Sequence, residues 1–221
     1  MNPSFEVPEN GMILIDKPAG ITSFGVVARV RRRLSEQLGK KAKVGHTGTL
    51  DPFATGLMII VTGKECRNAM QYSKLDKEYE AVIRLGQTSS TGDPEGELTD
   101  VSAAVPTKEA VEAALRPFRG EITQKPPIFS AIKINGRRAY DLARKGETVE
   151  IPERQVTVYE LELIEYTYPN VRVRVHVSSG TYIRSLAEDI GKELGTGAYC
   201  AELRRTKVGE WNVEDAEAIA V

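Results

Sequence analysis

Between residues 43 and 56 the chain reads "KVGHTGTLDPFATG". Fourteen residues hold three glycines, three threonines, a proline, one of the chain's two histidines and one aspartate. A run of that composition is poor at being either a helix or a strand. Before it, Val26, Val27, Val30, Leu34 and Leu38 recur at helical spacing; after it, "LMIIVTG" reads as a buried strand. Any fold must therefore carry a shaped loop between a basic helix and an apolar strand. Asp51 stands at its centre, before a proline that pushes it out of helical conformation, among glycines that permit close approach by another chain. A carboxylate displayed from such a loop beside His46 has the layout of an active site. The plain alternative is an Asp-Pro turn whose side chain satisfies nearby backbone N–H groups.

The remaining pattern alternates strands and helices. "MILID" is a short apolar strand closed by the turn "KPAG", and Thr22 or Ser23 caps the following helix, with Gly39 as its stop. "KECRNAMQYSKL" reads as helical and "EYEAVIRLG" as a half-buried strand. "TSSTGDPEGELTD" reads as an acidic loop, and "TKEAVEAALRPF" as a helix capped by Thr107. "IFSAIKINGRRAYDLARKGE" reads as strand, Asn135-Gly136 turn and basic helix. A long strand pair hinged at Pro169-Asn170 follows, then the helix "TYIRSLAEDIGKELG" and a final strand "YCAELRRTKVGEW". Strands pair with sequence neighbours as often as they alternate with helices, which favours α+β with a mostly antiparallel, mixed central sheet flanked by helices. No linker or repeat divides residues 1–221, so a single domain is expected.

Composition removes chemistry. Two His and two Cys do not readily furnish a zinc site, and no phosphate loop or dinucleotide fingerprint occurs. An enzyme of this composition works with carboxylates, tyrosines and arginines, with no metal and no cofactor. The cysteine count fits a reduced, cytoplasmic compartment, and no apolar run is long enough for a membrane span. Net charge is −1, but its distribution is uneven. Residues 26–46 hold seven basic side chains, among them Arg31, Arg32 and Lys43, against Glu36 alone. Residues 133–145 hold five, among them Lys133, Arg137 and Arg138, against Asp141. The tail from Glu210 has four acids and no base. Segregated basic segments beside Gly/Pro-rich loops fit a nucleic-acid face, the alternative being solvated helix surfaces.

Two further places carry chemistry. In "SSGTYIRSLAEDIG" a small-residue loop runs into a helix with Tyr182 and Arg184 at its start. An arginine in a first turn opposes the helix dipole, so Arg184 is expected to pair with an anion, either a phosphate or a buried carboxylate such as Asp51. In "KEYEAVIRLG", Tyr79 starts a strand between charged neighbours, where an aromatic ring can stack on a base; a core tyrosine is the commoner reading. His176 reads as structural, and Trp211 as packing the C-terminal segment.

Taken in order, "GMILIDKPAGITSFGVV", "KVGHTGTLDPFATGLMIIVTGKECR", "KEYEAVIRLGQTSSTGDPEG", "QKPPIFSAIKINGRRAYDLARKGE", "VSSGTYIRSLAEDIGKELG" and "AELRRTKVGEW" resemble the bacterial tRNA pseudouridine synthase B (TruB) family over nearly the whole chain. The resemblance implies a pseudouridine-synthase-like fold and isomerisation of uridine 55 in the T loop of tRNA by a monomer. It implies Asp51 as the catalytic carboxylate, Tyr79 as the residue stacked on the target base, and Arg184 as the partner of Asp51. It further implies that His46 contacts flipped-out nucleotides, that Lys17 and Pro18 support the same pocket, that Leu203 lines its wall, and that residues 124–150 are an insertion gripping the T loop; Tyr182 is a further candidate for substrate and RNA binding. Many relatives continue into a small C-terminal RNA-binding domain, whereas this chain stops at Val221. Other readings are a zinc nucleobase deaminase, whose signatures are absent, an RNA-binding or tRNA-folding module without catalysis, and a guide-RNA-dependent relative.

Overall fold

The apolar run after the Gly/Thr loop becomes β3 (Thr55–Thr62), a strand buried along nearly its whole length. Burial on both faces is why it reads as a continuous hydrophobic run and not as an alternation. The computed structural model describes residues 6–130, 132–134, 137–139 and 151–219. The chain divides into two compact units, one of Met1–Tyr79 with Leu203–Val221 and one of Glu80–Glu202.

In the first unit β1 (Gly11–Lys17) lies antiparallel to β3, from Gly11 opposite Thr62 to Lys17 opposite Gly56. On the other edge of β3 the short β2 (Val44–His46) pairs antiparallel with residues 60–62. Beside it, the end of β12 (Ala198–Val208) runs parallel, Arg204 opposite Thr55 and Arg205 opposite Gly56. β13 (Trp211–Asn212) folds back on β12, and β14 (Glu217–Ala218) extends β1 in parallel. Leu57, Ile59 and Val61 of β3 form a core with Val208 and Val213, against which Met12, Leu14, Tyr72, Leu75 and Trp211 pack. Trp211 meets Tyr72 edge-on, ring centroids 5.6 Å apart, which gives the tryptophan the packing role expected of it.

Helix α1 (Ser23–Leu38) buries Val26, Val27, Val30 and Leu34, one stripe at helical spacing. The Thr22 hydroxyl accepts a hydrogen bond from the Gly25 amide, and Gly39 ends the helix in the left-handed region. The expected helix over "KECRNAMQYSKL" is instead a 3-10 turn, Gly63–Arg67, and a short α2 (Ala69–Ser73). Glu65 explains the break: its carboxylate accepts from Asn68 Nδ2 and Tyr72 Oη, so Asn68 is bonded locally by its side chain.

The second unit is built on antiparallel strands. β10 (Arg154–Thr167) and β11 (Asn170–Val177) make a long hairpin, with β7 (Gly120–Gln124) on the far edge of β10. β4 (Lys77–Leu85) neighbours β11, its first three residues belonging to the first unit. Val171, Val173, Val175 and Val177 point inward while Arg172 and Arg174 face water, the expected half-buried alternation. Helix α3 (Lys108–Leu115) is capped by Thr107, and α4 spans Ile183–Glu193. The acidic stretch is not wholly loop: β5 (Gln87–Ser89) pairs with β6 (Leu98–Asp100). β8 (Lys133–Ile134) and β9 (Arg137–Arg138) form a short antiparallel pair; the basic helix expected after them lies outside the described residues. The architecture is α+β with a mixed, largely antiparallel sheet. No helix among the described residues is long and apolar enough to cross a membrane.

Candidate active site

The Gly/Thr loop is held from three directions within the first unit. Lys17, the last residue of β1, is fully buried, and its ammonium donates to the carbonyls of Pro18, Ile21 and Pro52 at 2.9, 2.9 and 3.2 Å. A buried ammonium is costly unless satisfied, and converging carbonyls satisfy it. The Gly20 amide also donates to Pro52 O at 2.9 Å. Ser23, buried in the first turn of α1, accepts from the Leu50 amide at 2.7 Å and donates to the Leu50 carbonyl at 2.8 Å. Asp51 thus sits between two pinned neighbours, Leu50 and Pro52. Its own carbonyl accepts from Ala54 N at 3.1 Å and closes the turn. The expected Asp-Pro turn is real, and it presents a half-buried carboxylate from a braced backbone.

Arg205 supplies the third support. Its buried guanidinium donates to Leu57 O at 2.7 Å, Gly48 O at 3.2 Å and Thr49 O at 3.5 Å, bracing both ends of the loop. Gly56 lets the strand carrying it approach: its φ is +105°, and a Cβ there would lie 2.2 Å from Arg205 O. The neighbouring Arg204 grips Asp16 bidentately at 3.1 and 2.8 Å, tying β12 to β1. Burial and the nearby charge of Arg205 bring the Lys77 ammonium down to about 8. It donates to Ser73 O at 2.7 Å and to Leu75 O. Neither Arg205, in "AELRRT", nor Lys77, at the head of "KEYEAVIRLG", carries a local signal of burial in the sequence.

The expected substrate residues of this unit fall into two groups. Tyr79 and Leu203 are buried, on β4 and β12. His46 ends β2, half-exposed, one residue before Thr47, whose amide and hydroxyl both donate to Ile59 O. Arg31 donates to Val44 O at 3.0 Å and stands over the Phe24 ring. Arg32 is exposed and pairs with Glu36 at 3.0 Å, and Lys43 is exposed.

In the second unit Gln124, itself buried, fixes Tyr182 by a reciprocal pair: Nε2 donates to Tyr182 O at 2.9 Å, and Tyr182 N donates to Oε1 at 2.7 Å. The Arg154 guanidinium lies 4.9 Å from the centre of the Tyr182 ring. Two residues on, Arg184 is buried in the first turn of α4. It donates to Asp93 Oδ2 at 2.8 Å, Thr91 O at 2.9 Å and Phe129 O at 2.7 Å. The anion that the helix-dipole argument demanded is present within this unit as Asp93. That carboxylate also accepts from Thr91 Oγ1 at 2.6 Å and Glu95 N at 3.0 Å. Asp93 escaped the reading of the sequence, although "GDP" repeats the Asp-Pro signal of "LDP". Gly92, at φ +74°, keeps room for Glu188, whose carboxyl burial pushes up although Lys192 opposes the shift. Lys133, Arg137 and Arg138 lie on β8 and β9, and their side chains are outside the described residues. Among the described residues no three His, Cys, Asp or Glu side chains gather to hold a metal ion.

Comparison with known proteins adds identity to this geometry. Residues 32–183 match the model of the TruB family pseudouridylate synthase N-terminal domain, and residues 184–220 match the tRNA pseudouridylate synthase B C-terminal domain. The tRNA pseudouridine synthase B of Phocaeicola vulgatus is 47% identical over 216 residues, covering 96% of this chain and 91% of that protein. That of Thermobifida fusca is 47% identical over 219 residues, covering 95% of this chain and 73% of its own. Among solved structures, a Cbf5-Nop10-Gar1 complex matches at TM-score 0.72 and 33% identity over 95% of this chain. An H/ACA RNP bound to a substrate RNA containing 2'-deoxyuridine matches at TM-score 0.69 and 30% identity. The chain spans about half the length of these structural relatives, 52% and 51%.

Proposed function

Because the chain belongs to the TruB family of pseudouridylate synthases, we propose that it converts uridine 55 in the T loop of tRNA to pseudouridine, with Asp51 as the catalytic carboxylate. The observation that carries this is the bracing of Asp51: Leu50 is locked by Ser23, and Pro52 by Lys17 and Gly20. Positioning of that kind suits a residue that must meet one atom of a substrate and has no use in a plain surface turn.

The reaction breaks the N1–C1′ bond, turns the base and joins C5 to C1′. The C5 proton leaves, N1 gains one, and nothing is oxidised or hydrolysed overall. Asp51 stabilises positive charge developing on the sugar by attacking C1′ or by taking the 2′ proton. Tyr79 stacks on the base and assists loss of the C5 proton, and Arg184 is the partner of Asp51; both roles rest on the family pattern. Lys17 and Pro18 support the pocket and Leu203 lines its wall. His46 contacts the extruded nucleotides, and Tyr182 binds the RNA. Uridine 55 must leave its stack at a cost of a few kcal/mol. Phosphate contacts from Arg31, Arg32, Lys43, Lys133, Arg137 and Arg138 offset that cost. Residues 124–150 grip the T loop, and the enzyme works as a cytoplasmic monomer without cofactor.

A non-catalytic RNA module would have no use for a braced carboxylate, and the tRNA enzymes at 47% identity stand nearer than the Cbf5 complex at 33%. Incubating purified protein with unmodified tRNA and mapping pseudouridine tests the reading. Product at position 55 without any guide RNA is expected. Product elsewhere, or product only with a guide RNA, would overturn the substrate assignment.

A further inference from the structure

Phe24, the second residue of α1, is 66% exposed. A single exposed apolar side chain is ordinary on a protein surface. Three features set this one apart. Its neighbour Ser23 is locked to both backbone groups of Leu50, so the start of the helix is fixed to the residue preceding Asp51. Two helical turns on, the Arg31 guanidinium carbon lies 5.8 Å from the Phe24 ring centroid. That guanidinium is itself tethered to Val44 O, in the strand that ends at His46. The same helix exposes Arg29 and Arg32, cations of the kind that neutralise phosphates. An aromatic face turned to solvent, backed by a tethered cation and set among arginines, is the surface that recognises an unpaired nucleobase.

We propose that Phe24 is a positioning residue: a stacking platform for an unpaired base that flanks the uridine delivered to Asp51, with Arg31 holding the ring beneath it. The inference rests on the reading of Asp51 as the reactive carboxylate of a tRNA-modifying enzyme. Phe24 touches no reacting atom; it sets where the RNA lies, so it acts on affinity and not on the bond-making steps.

The test uses a T stem-loop hairpin RNA and four proteins: wild type, Phe24→Ala, Phe24→Leu and Phe24→Tyr. Dissociation constants come from fluorescence anisotropy and rate constants from single turnovers at saturating RNA. Phe24→Ala and Phe24→Leu are expected to weaken binding about tenfold, while Phe24→Tyr stays within about twofold of wild type. Saturated rate constants and melting temperatures are expected to remain close to wild type in all three variants. Unchanged binding in Phe24→Ala would overturn the proposal while leaving the assigned function standing. So would equal binding by the leucine and tyrosine variants, or a melting temperature that falls with the alanine variant, since each makes the ring an apolar or packing contact. A wild-type protein that neither binds nor modifies the hairpin would overturn the T-loop reading, and this inference with it.

Discussion

Arg184 and Asp93 form a buried ion pair, N–O distance 2.8 Å, with each side chain only 4% exposed. Removing one partner of such a pair strands the other charge away from water, at about 3–5 kcal/mol. Asp93→Asn is therefore expected to lower unfolding stability by about that amount in urea titration. A loss below about 1 kcal/mol would show that Thr91 O and Phe129 O suffice to hold the guanidinium. Arg184→Lys, which forfeits the fork geometry, is expected to reduce turnover more than RNA affinity; equal losses would count against an ionic role at the reaction centre.

Lys17→Met keeps most of the side chain's volume and removes the donor to Pro18, Ile21 and Pro52. Pro52 O keeps the Gly20 amide, but a buried carbonyl left unpaired at Pro18 or Ile21 costs about 1–3 kcal/mol, and the slack falls on the loop that presents Asp51. The expected outcome is at least about a tenfold loss of turnover, with faster amide exchange confined to residues 50–54 and the KPAG turn. Wild-type exchange there would place the support elsewhere.

Gly56→Ala should not fold. The backbone is in a region that side chains avoid, and the added carbon would meet the carbonyl oxygen of Arg205 at 2.2 Å. Circular dichroism and limited proteolysis check this; a stable, active variant would refute the strand approach described here.

Lys77 gives a pH dependence of known sign. Folding brings its ammonium from the ordinary 10.5 to about 8. Between those values the unfolded chain holds a proton that the folded chain has released, so stability from this group rises with pH across that window and is flat below it. The melting-temperature difference between wild type and Lys77→Met should therefore shift in favour of wild type between pH 7.5 and about 10. A difference independent of pH would contradict it.

Much of this was legible in the chain. α1 announced itself through Val26, Val27, Val30 and Leu34, with Thr22 and Gly39 at its ends, because helical period and caps are local signals. β3 was legible from "LMIIVTG" and β11 from "VRVRVHV". The Gly/Thr loop set Asp51 apart, although its Asp-Pro taken alone favours a plain turn. What was not legible is what holds the site. Arg205 meets Leu57 across 148 residues, Arg184 meets Asp93 across 91, and Gln124 meets Tyr182 across 58. Spacing carries no information at that range, and a buried arginine looks like a surface one until the sheet is assembled. An arginine in a first helical turn implies an anion beside it, but no local feature singles out Asp93 from among the chain's carboxylates.

The central claim is that Asp51 is the reactive carboxylate. It is tested most directly by Asp51→Asn, a change of charge with almost no change of shape, assayed on an unmodified T stem-loop RNA. Pseudouridine formation should fall to background while the dissociation constant stays within a few-fold of wild type, since the loop remains braced by Lys17, Ser23 and Arg205. Turnover retained by that variant would contradict the account.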